Sequence, residues 1–414
     1  MNTKQTKKYA QLFIAIVAVL LAFSSPAVAD YSGDHPLTIY EHDTINGGLV
    51  FETITDGSGY TQLYTAPPGL PLNSMTQDIT INIPAGATVK LARLYNTYCW
   101  SVADNGADDV PGAPAEADLT FDNGTTEQTR TCKHGYVDWT EAPNPIYFGT
   151  GVVHYWDTKN LSKYGGMYDY PSGEFAWDVT DMVTGSGTYT ATIKNNDSSP
   201  TPSEYFSTFG FGLLVVYEKP GSPEIEYWIA EGCDILIART FETPENATTS
   251  VTVVGSIDLS NVSIADLTAV TTCSDGGLMD PPTNMMYFNG EEIGPSTADG
   301  DQHYGVNYFD VTAKLKSTQN VVEFQDRDDD HYVHNAFLVV EYKEAGICGD
   351  VNKDGFVNVL DATKVKNRAG NPSYPLDDEW AADVNCDTFI NVLDATKVKN
   401  RAGNPSYPLN CCII

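Results

Sequence analysis

Basic residues are scarce in this chain. Lys and Arg total 23 of 414 residues against 55 Asp and Glu, for a formal net charge of −32. A surface of that sign repels phosphate backbones, which excludes nucleic acid as a partner, and it attracts divalent cations. Long apolar runs are also missing. The exception, Leu12 to Phe23, is about twelve residues long and too short to span a bilayer. Lys4, Lys7 and Lys8 precede it and Ala27-Val28-Ala29 follows, so residues 1–29 read as a secretory signal peptide and Asp30 as the start of the mature chain. The expectation is a secreted protein, extracellular or at the cell surface, with no membrane span after cleavage. Catalytic signatures are absent as well: G-x-S-x-G, H-E-x-x-H and a Gly-rich phosphate loop do not occur, and the seven histidines show no metal-binding spacing. No catalytic residue is nominated.

Helical periodicity is nearly absent between Asp30 and Ala345. Thr, Tyr, Val and Phe recur in short alternating runs broken by Gly, Pro and Asn, a mainly β pattern of sandwich or jelly-roll type. The region is written twice in diverged form. Phe175 to Thr180 corresponds to Tyr308 to Thr312 at a shared Asp-Val-Thr, Phe211 to Lys219 to Ala336 to Lys343, and Asn123-Gly124 to Asn289-Gly290. Two tandem units follow, 30–220 and 221–345, with a boundary near Pro220 to Pro223. Asp178 and Asp310 recur at one place in both units, so a shared turn explains them better than half of an active site.

The first unit is longer. Gly124 and Asp178 lie 54 positions apart, Gly290 and Asp310 only 20, which marks an insertion at about 125–172. It holds Cys132, His134, Trp139, Tyr147, Phe148, His154, Tyr155 and Trp156. Exposed, such aromatics would stack on the sugar rings of a polysaccharide; packed down, they would make a small satellite core. The acidic run Asp326 to Asp330 is likewise either a calcium site at a sheet rim or a solvated loop.

The C-terminal region is also doubled, and here without divergence. NVLDATKVKNRAGNPSYPL runs from Asn358 to Leu376 and returns unchanged from Asn391 to Leu409. Oxygen donors are spaced at the head of each copy: Asp350, Asn352, Asp354, Asn358 and Asp361, then Asp383, Asn385, Asp387, Asn391 and Asp394. These are positions 1, 3, 5, 9 and 12 of a calcium loop, with the backbone carbonyls of Phe356 and Phe389 at position 7. Two Ca²⁺ ions are therefore expected. Gly355 supplies the sharp turn at position 6, where the second loop has Thr388. A β-branched residue at positive φ costs about 1–2 kcal/mol, so the second site should be the weaker. After each loop Ala362, Val365 and Ala369, or Ala395, Val398 and Ala402, mark one apolar helix face. Gly370 and Gly403 stand where C-terminal caps belong, ahead of Pro372 and Pro405.

Paired loops with Asp at position 12 and one exiting helix each resemble the type I dockerin family, an EF-hand-like α-helical module. The resemblance covers about Cys348 to Leu409, within a domain at 348–412. It implies a calcium-folded module that docks on a cohesin domain of a scaffold or surface protein. It also implies partner contacts at loop positions 10 and 11 and at positions 17 and 18: Val359, Leu360, Lys366 and Asn367, with Val392, Leu393, Lys399 and Asn400. For the four apolar residues, burial inside the module competes with contact. Identical copies would let a partner seat in two orientations related by a half-turn. Eight cysteines in an exported chain argue for disulfides, and a bridge from Cys348 to Cys411 or Cys412 would close the ends of the module. The β region is similar to secreted prokaryotic domains of unknown function. The resulting expectation is a non-catalytic surface or assembly protein attached through its dockerin; the alternatives are a carbohydrate-binding or glycoside-hydrolysing component of a polysaccharide-degrading complex, and a calcium-dependent surface adhesin.

Overall fold

A strand with one wet and one dry face buries every second residue, and the computed structural model shows this in Asn320–Asp326 and Ala117–Asp122. The structure describes residues 32–55, 59–64, 73–102, 114–134, 143–149, 151–158, 170–196, 205–238, 243–274, 282–296, 304–328, 330–343 and 346–411. The signal peptide, Trp139, Asp329 and Cys412 lie outside them. Two compact units divide between Tyr342 and Lys343.

The first half of the β unit lays down β1 (Thr38–Thr55), β2 (Thr61–Tyr64), β3 (Ser74–Ile81), β4 (Thr88–Cys99), β5 (Ala117–Asp122), β6 (Glu127–Cys132), β7 (Ile146–Phe148), β8 (Val152–Asp157), β9 (Ser172–Asp178), β10 (Gly187–Asn195) and β11 (Tyr205–Glu218). The second half lays down β12 (Glu224–Ile237), β13 (Thr248–Val253), β14 (Val262–Thr272), β15 (Asn284–Phe288), β16 (Glu291–Pro295), β17 (Tyr304–Asp310), β18 (Asn320–Asp326) and β19 (Asp330–Tyr342). Two small sheets run β3-β10-β5-β6 and β13-β18-β15-β16. One 11-stranded sheet runs β17-β14-β19-β12-β1-β11-β4-β9-β8-β7, with β2 also on β11, and its pairings are antiparallel. The order β12-β19-β14-β17 repeats β1-β11-β4-β9, so the duplication is visible strand by strand.

The tandem units do not stand apart as separate sandwiches; they share the large sheet. β1 makes the junction by pairing with β12 over its first half and with β11 over its second. The switch falls at Gly47, where a β-carbon would stand 1.8 Å from the Tyr217 carbonyl oxygen, so only glycine fits. β7 and β8 have no counterpart in the second half and extend the sheet beyond β9.

Each half has its own core against its small sheet, and a third core on the other face of the large sheet joins them. Along β11, Phe211, Leu213 and Val215 enter the first core while Leu214 and Val216 enter the shared one. Along β12, Trp228 and Ala230 enter the second core while Tyr227 and Ile229 enter the shared one. Both strands are therefore apolar on both faces.

Asp178 and Asp310 do the same structural job. Asp178 Oδ1 accepts from the Thr180 backbone N–H (3.0 Å) and Asp310 Oδ1 from that of Thr312 (2.9 Å). The two threonine hydroxyls in turn accept from Ala92 N–H and Ala265 N–H. These are matching turns, as their recurrence suggests.

Polar side chains cross the shared core in pairs. Arg93 of β4 donates to Glu231 of β12 through Nε (2.8 Å) and Nη2 (2.6 Å), both side chains fully buried, and Tyr95 donates to Glu231 Oε1 (2.8 Å). Glu174 of β9 accepts from Asn335 of β19 (2.8 Å), and its Oε2 is buried without a partner. Burial above all, then the Glu231 charge, holds Glu174 well above the ordinary 4.5, so it stays protonated when folded. The folded state then binds more protons than the unfolded one, and stability falls as pH rises above 4.5. Glu174→Gln keeps the shape and removes the ionisable proton. It should leave thermal stability near pH 4 within about 1 kcal/mol of the parent and raise it at pH 8. Equal destabilisation at both values, measured by calorimetry, would rule out a protonated Glu174.

Candidate metal centre and docking face

Each C-terminal loop ends in a helix, and the helix start fixes the last donors. Asn358 caps α1 (Val359–Gly370): its Oδ1 accepts from Leu360 N–H (2.8 Å), while Asp361 Oδ2 accepts from Asn358 N–H (2.9 Å). This reciprocal box holds positions 9 and 12 against one another. Asn391 and Asp394 repeat it at α2 (Val392–Gly403). At the head of the first loop Asp350 is buried and draws the chain around itself, accepting from Gly355 N–H (2.8 Å) and Asp354 N–H (3.2 Å). Asp350, Asp354 and Asp361 then present oxygens within 4.8 Å of one another. Burial first, and the Asp350 and Asp354 charges with it, push the Asp361 carboxyl upward. Three converging carboxylates with amide and carbonyl oxygens fit a hard divalent cation.

The second loop wraps Asp383 in the same way, through Thr388 N–H (2.8 Å) and Asp387 N–H (3.2 Å). It differs in two respects. Thr388 stands at φ +69° where Gly355 has +85°, so the β-branched residue does occupy the left-handed region. In the first loop Asp361 Oδ1 accepts from Val351 and Asn352 N–H, whereas Asp394 Oδ1 is buried with no hydrogen bond. An orphaned carboxylate oxygen facing a donor loop is what a metal ion would satisfy.

The helix ends depart from expectation. Gly370 and Gly403 are the last helical residues and do not adopt positive φ; Asn371 and Asn404 cap in extended backbone, at φ −143° and −144°. Pro372 and Pro405 explain this, because the residue before proline is driven out of helical and into extended conformation.

Val365, Ala362, Val398 and Ala395 fill the core of this unit with Val351, Ala381, Ala382 and Val384. Val359, Leu360, Val392 and Leu393 do not join it. They are 60–63% exposed, and Lys366, Asn367, Lys399 and Asn400 are exposed beside them. A groove between the helices is lined by Val359, Ala362 and Lys366 and by Val392, Ala395 and Lys399. Phe356 and Phe389 are exposed too, at 72% and 70%. Their rings were missed as surface features because only their carbonyls were considered, yet a carbonyl turned into the loop sends its side chain outward. Cys348 is bonded to Cys411, closing the unit's ends, and Cys386 is also disulfide-bonded.

In the β unit the aromatic insertion packs inward. His154, Tyr155 and Trp156 are buried: Tyr98 and His154 share a hydrogen bond (2.7 Å), Tyr155 donates to Glu231 (3.2 Å) and Trp156 to the Pro143 carbonyl (3.2 Å). Burial holds His154 well below the ordinary imidazole value, so it is neutral. Tyr147 remains exposed. Asp326 is spent on backbone, accepting from Ala238 and Asp328 N–H.

Residues 30–341 match the family model described as Protein of unknown function (DUF3344). The chain belongs to the DUF3344 family. Residues 348–402 match the Dockerin type I domain, so the two helices and their loops are a dockerin, a module that binds Ca²⁺ and attaches its chain to a cohesin partner. No curated protein matches the chain. Among solved structures, PNGase F, a glycosylasparaginase from Flavobacterium meningosepticum, aligns at 11% identity, covering 71% of this chain and 96% of its own, with a TM-score of 0.22. The α-L-rhamnosidase of Streptomyces avermitilis aligns at 14% identity over 74% of this chain and 29% of its own, with a TM-score of 0.17. Likeness at that level assigns no activity to the DUF3344 region. Among the described residues no helix is long and apolar enough to cross a membrane.

Calcium should therefore be part of the dockerin's folding free energy. At a thousandfold excess over its dissociation constant each bound ion stabilises by about 4 kcal/mol. Adding chelator should abolish the helical circular-dichroism signal while the DUF3344 strands persist, and calcium should restore it. Asp350→Ala should lower total calcium affinity more than Asp383→Ala, by about 1 kcal/mol, since the Thr388 loop starts weaker. Calorimetric titration compares them, and equal losses would show that the backbone absorbs the Thr388 penalty.

Proposed function

We propose that this is a secreted, non-catalytic surface or assembly protein whose β repeats, 30–220 and 221–345, are held on a cohesin-bearing partner by calcium-dependent docking. The matching strand orders support that division, and the signal-peptide pattern and the Cys348–Cys411 bridge support an oxidising, extracellular setting. Two Ca²⁺ ions sit in the loops, one on Asp350, Asn352, Asp354, Asn358 and Asp361 with the Phe356 carbonyl, the other on Asp383, Asn385, Asp387, Asn391 and Asp394 with the Phe389 carbonyl. The partner meets Val359, Leu360, Lys366 and Asn367 or their copies Val392, Leu393, Lys399 and Asn400.

The observation that carries this reading is the pair of exposed apolar steps, Val359-Leu360 and Val392-Leu393, left out of a core that their own helices build. A polysaccharide-binding or polysaccharide-cleaving role draws less support, because His154, Tyr155 and Trp156 turn inward rather than offering stacking faces. An adhesin acting within its own surface layer would lean on the β unit for attachment, whereas docking leans on the helices.

Replacing Val359 and Leu360 by Ala should weaken cohesin binding only a few-fold, since the second copy can take their place. Replacing all four residues should cost about 3 kcal/mol or more, at least a hundredfold. Titration against a panel of cohesin domains reads both numbers. Undiminished binding by the fourfold variant would remove this face from the interface.

A further inference from the structure

Away from the dockerin, the β unit brings metal-binding side chains together from two remote segments, beside a buried carboxylate from a third. Asp157 ends β8. Asp234 lies in β12 where its register against β19 shifts between Glu231 and Asp234, and Asp34 and His35 lead into β1. Asp34, His35 and Asp157 each offer one ligand atom within 4.8 Å of the others. His35 Nε2 stands 3.7 Å from Asp157 Oδ1, beyond hydrogen-bond reach. It is near the separation of about 3.4 Å between two ligands of one tetrahedral ion with bonds of about 2.1 Å.

The second observation concerns the two buried carboxylates. Asp157 is 2% and Asp234 0% exposed, and among the described residues no Lys or Arg forms an ion pair with either. Asp157 accepts from Ile235 N–H (2.7 Å) and Thr158 N–H (2.6 Å), and Asp234 Oδ1 from Gly33 N–H (3.1 Å). Asp234 is also held by the Thr249 hydroxyl and the His35 backbone N–H. Burial raises both carboxyls, the Asp234 charge adds to the rise at Asp157, and Asp34 acts on both. Such a crowded pair needs protons or a cation. Protons alone would not call for the half-exposed His35 and the exposed Asp34 at its mouth.

We propose that Asp34, His35 and Asp157 form a site for a divalent transition cation of the zinc class, separate from the calcium loops. The imidazole decides the class: all-oxygen donor sets suit Ca²⁺ and Mg²⁺, whereas mixed imidazole and carboxylate sets suit Zn²⁺ and its neighbours. The ion ties the segment ahead of β1 to β8 of the first repeat.

The test uses the full chain with its dockerin saturated by millimolar Ca²⁺. Parent, His35→Ala and Asp157→Asn proteins, each checked for folding by circular dichroism, are equilibrated with micromolar ZnCl₂, and bound zinc is counted by mass spectrometry. The parent should hold one equivalent more than either variant, and its thermal midpoint should rise with zinc while that of His35→Ala does not. His35 is half-exposed, so its truncation leaves the fold standing even if Asp157→Asn does not fold. Equal zinc retention by parent and His35→Ala overturns the site, as does a parent that retains none, which would leave the carboxyl pair holding protons only.

Discussion

Strands that are dry on both faces set the terms for the whole β unit. β11 and β12 alternate their side chains between a private core and the common one, so neither repeat can leave the other without uncovering half of its central strand. At about 1.5–3 kcal/mol for each large apolar side chain, exposing Leu214, Val216, Tyr227 and Ile229 alone would consume most of a typical domain's stability. Within that core Arg93 and Glu231 are withdrawn from water together. Such a pair contributes little net stability over an apolar substitute, but losing one partner costs about 3–5 kcal/mol, because the other charge is then stranded. The pair therefore acts on alignment: a slip of β4 or β12 would bury an unanswered charge.

Duplication explains the frame, and the departures from it explain where chemistry can collect. The Asp-Val-Thr turns at Asp178 and Asp310 do the same work in both repeats, and Asn123 and Asn289 donate to the carbonyls of Met182 and Lys314 in the same way. The first repeat alone carries β7 and β8. Those strands bring Tyr155 into the common core, where it reaches Glu231, and Asp157 to the edge of β12. Of the two readings the insertion allowed, its described strand β8 fits packing inward: Tyr155 helps seal the join between repeats, and the polar by-product is the buried carboxylate at Asp157.

The sequence showed these features unevenly, and the difference follows sequence distance. Calcium loops are written in about a dozen consecutive residues, so donor spacing and the positive φ at Gly355 and Thr388 could be read directly. The β content and the repeat were legible because period-two patterns and Asp-Val-Thr are local. That the repeats share one sheet was not, since no local pattern distinguishes a strand dry on both faces at a domain junction from one inside a single sandwich. No local pattern marks His35, because its carboxylate Asp157 is far off in the chain. The helix end differs from the glycine-cap expectation for a local reason: Pro372 drives Asn371 into extended backbone, so the helix closes there without a left-handed Gly370.

In the dockerin the same sequence distance separates what is symmetric from what is not. Val359 to Asn367 and Val392 to Asn400 are identical and similarly exposed, so two docked orientations differ in energy only through residues that the copies do not share. Within the loops those are Lys353 against Cys386, Gly355 against Thr388 and Val357 against Ile390, the first two pairs at positive φ beside the donors. Asp361 Oδ1 is braced by Val351 and Asn352 N–H, whereas Asp394 Oδ1 is buried with no hydrogen bond. Asp394 is also half of the box that starts α2, so an ion in the second loop would bear directly on that helix start. Any preference between two docked orientations would therefore come from the loops rather than from the identical docking residues.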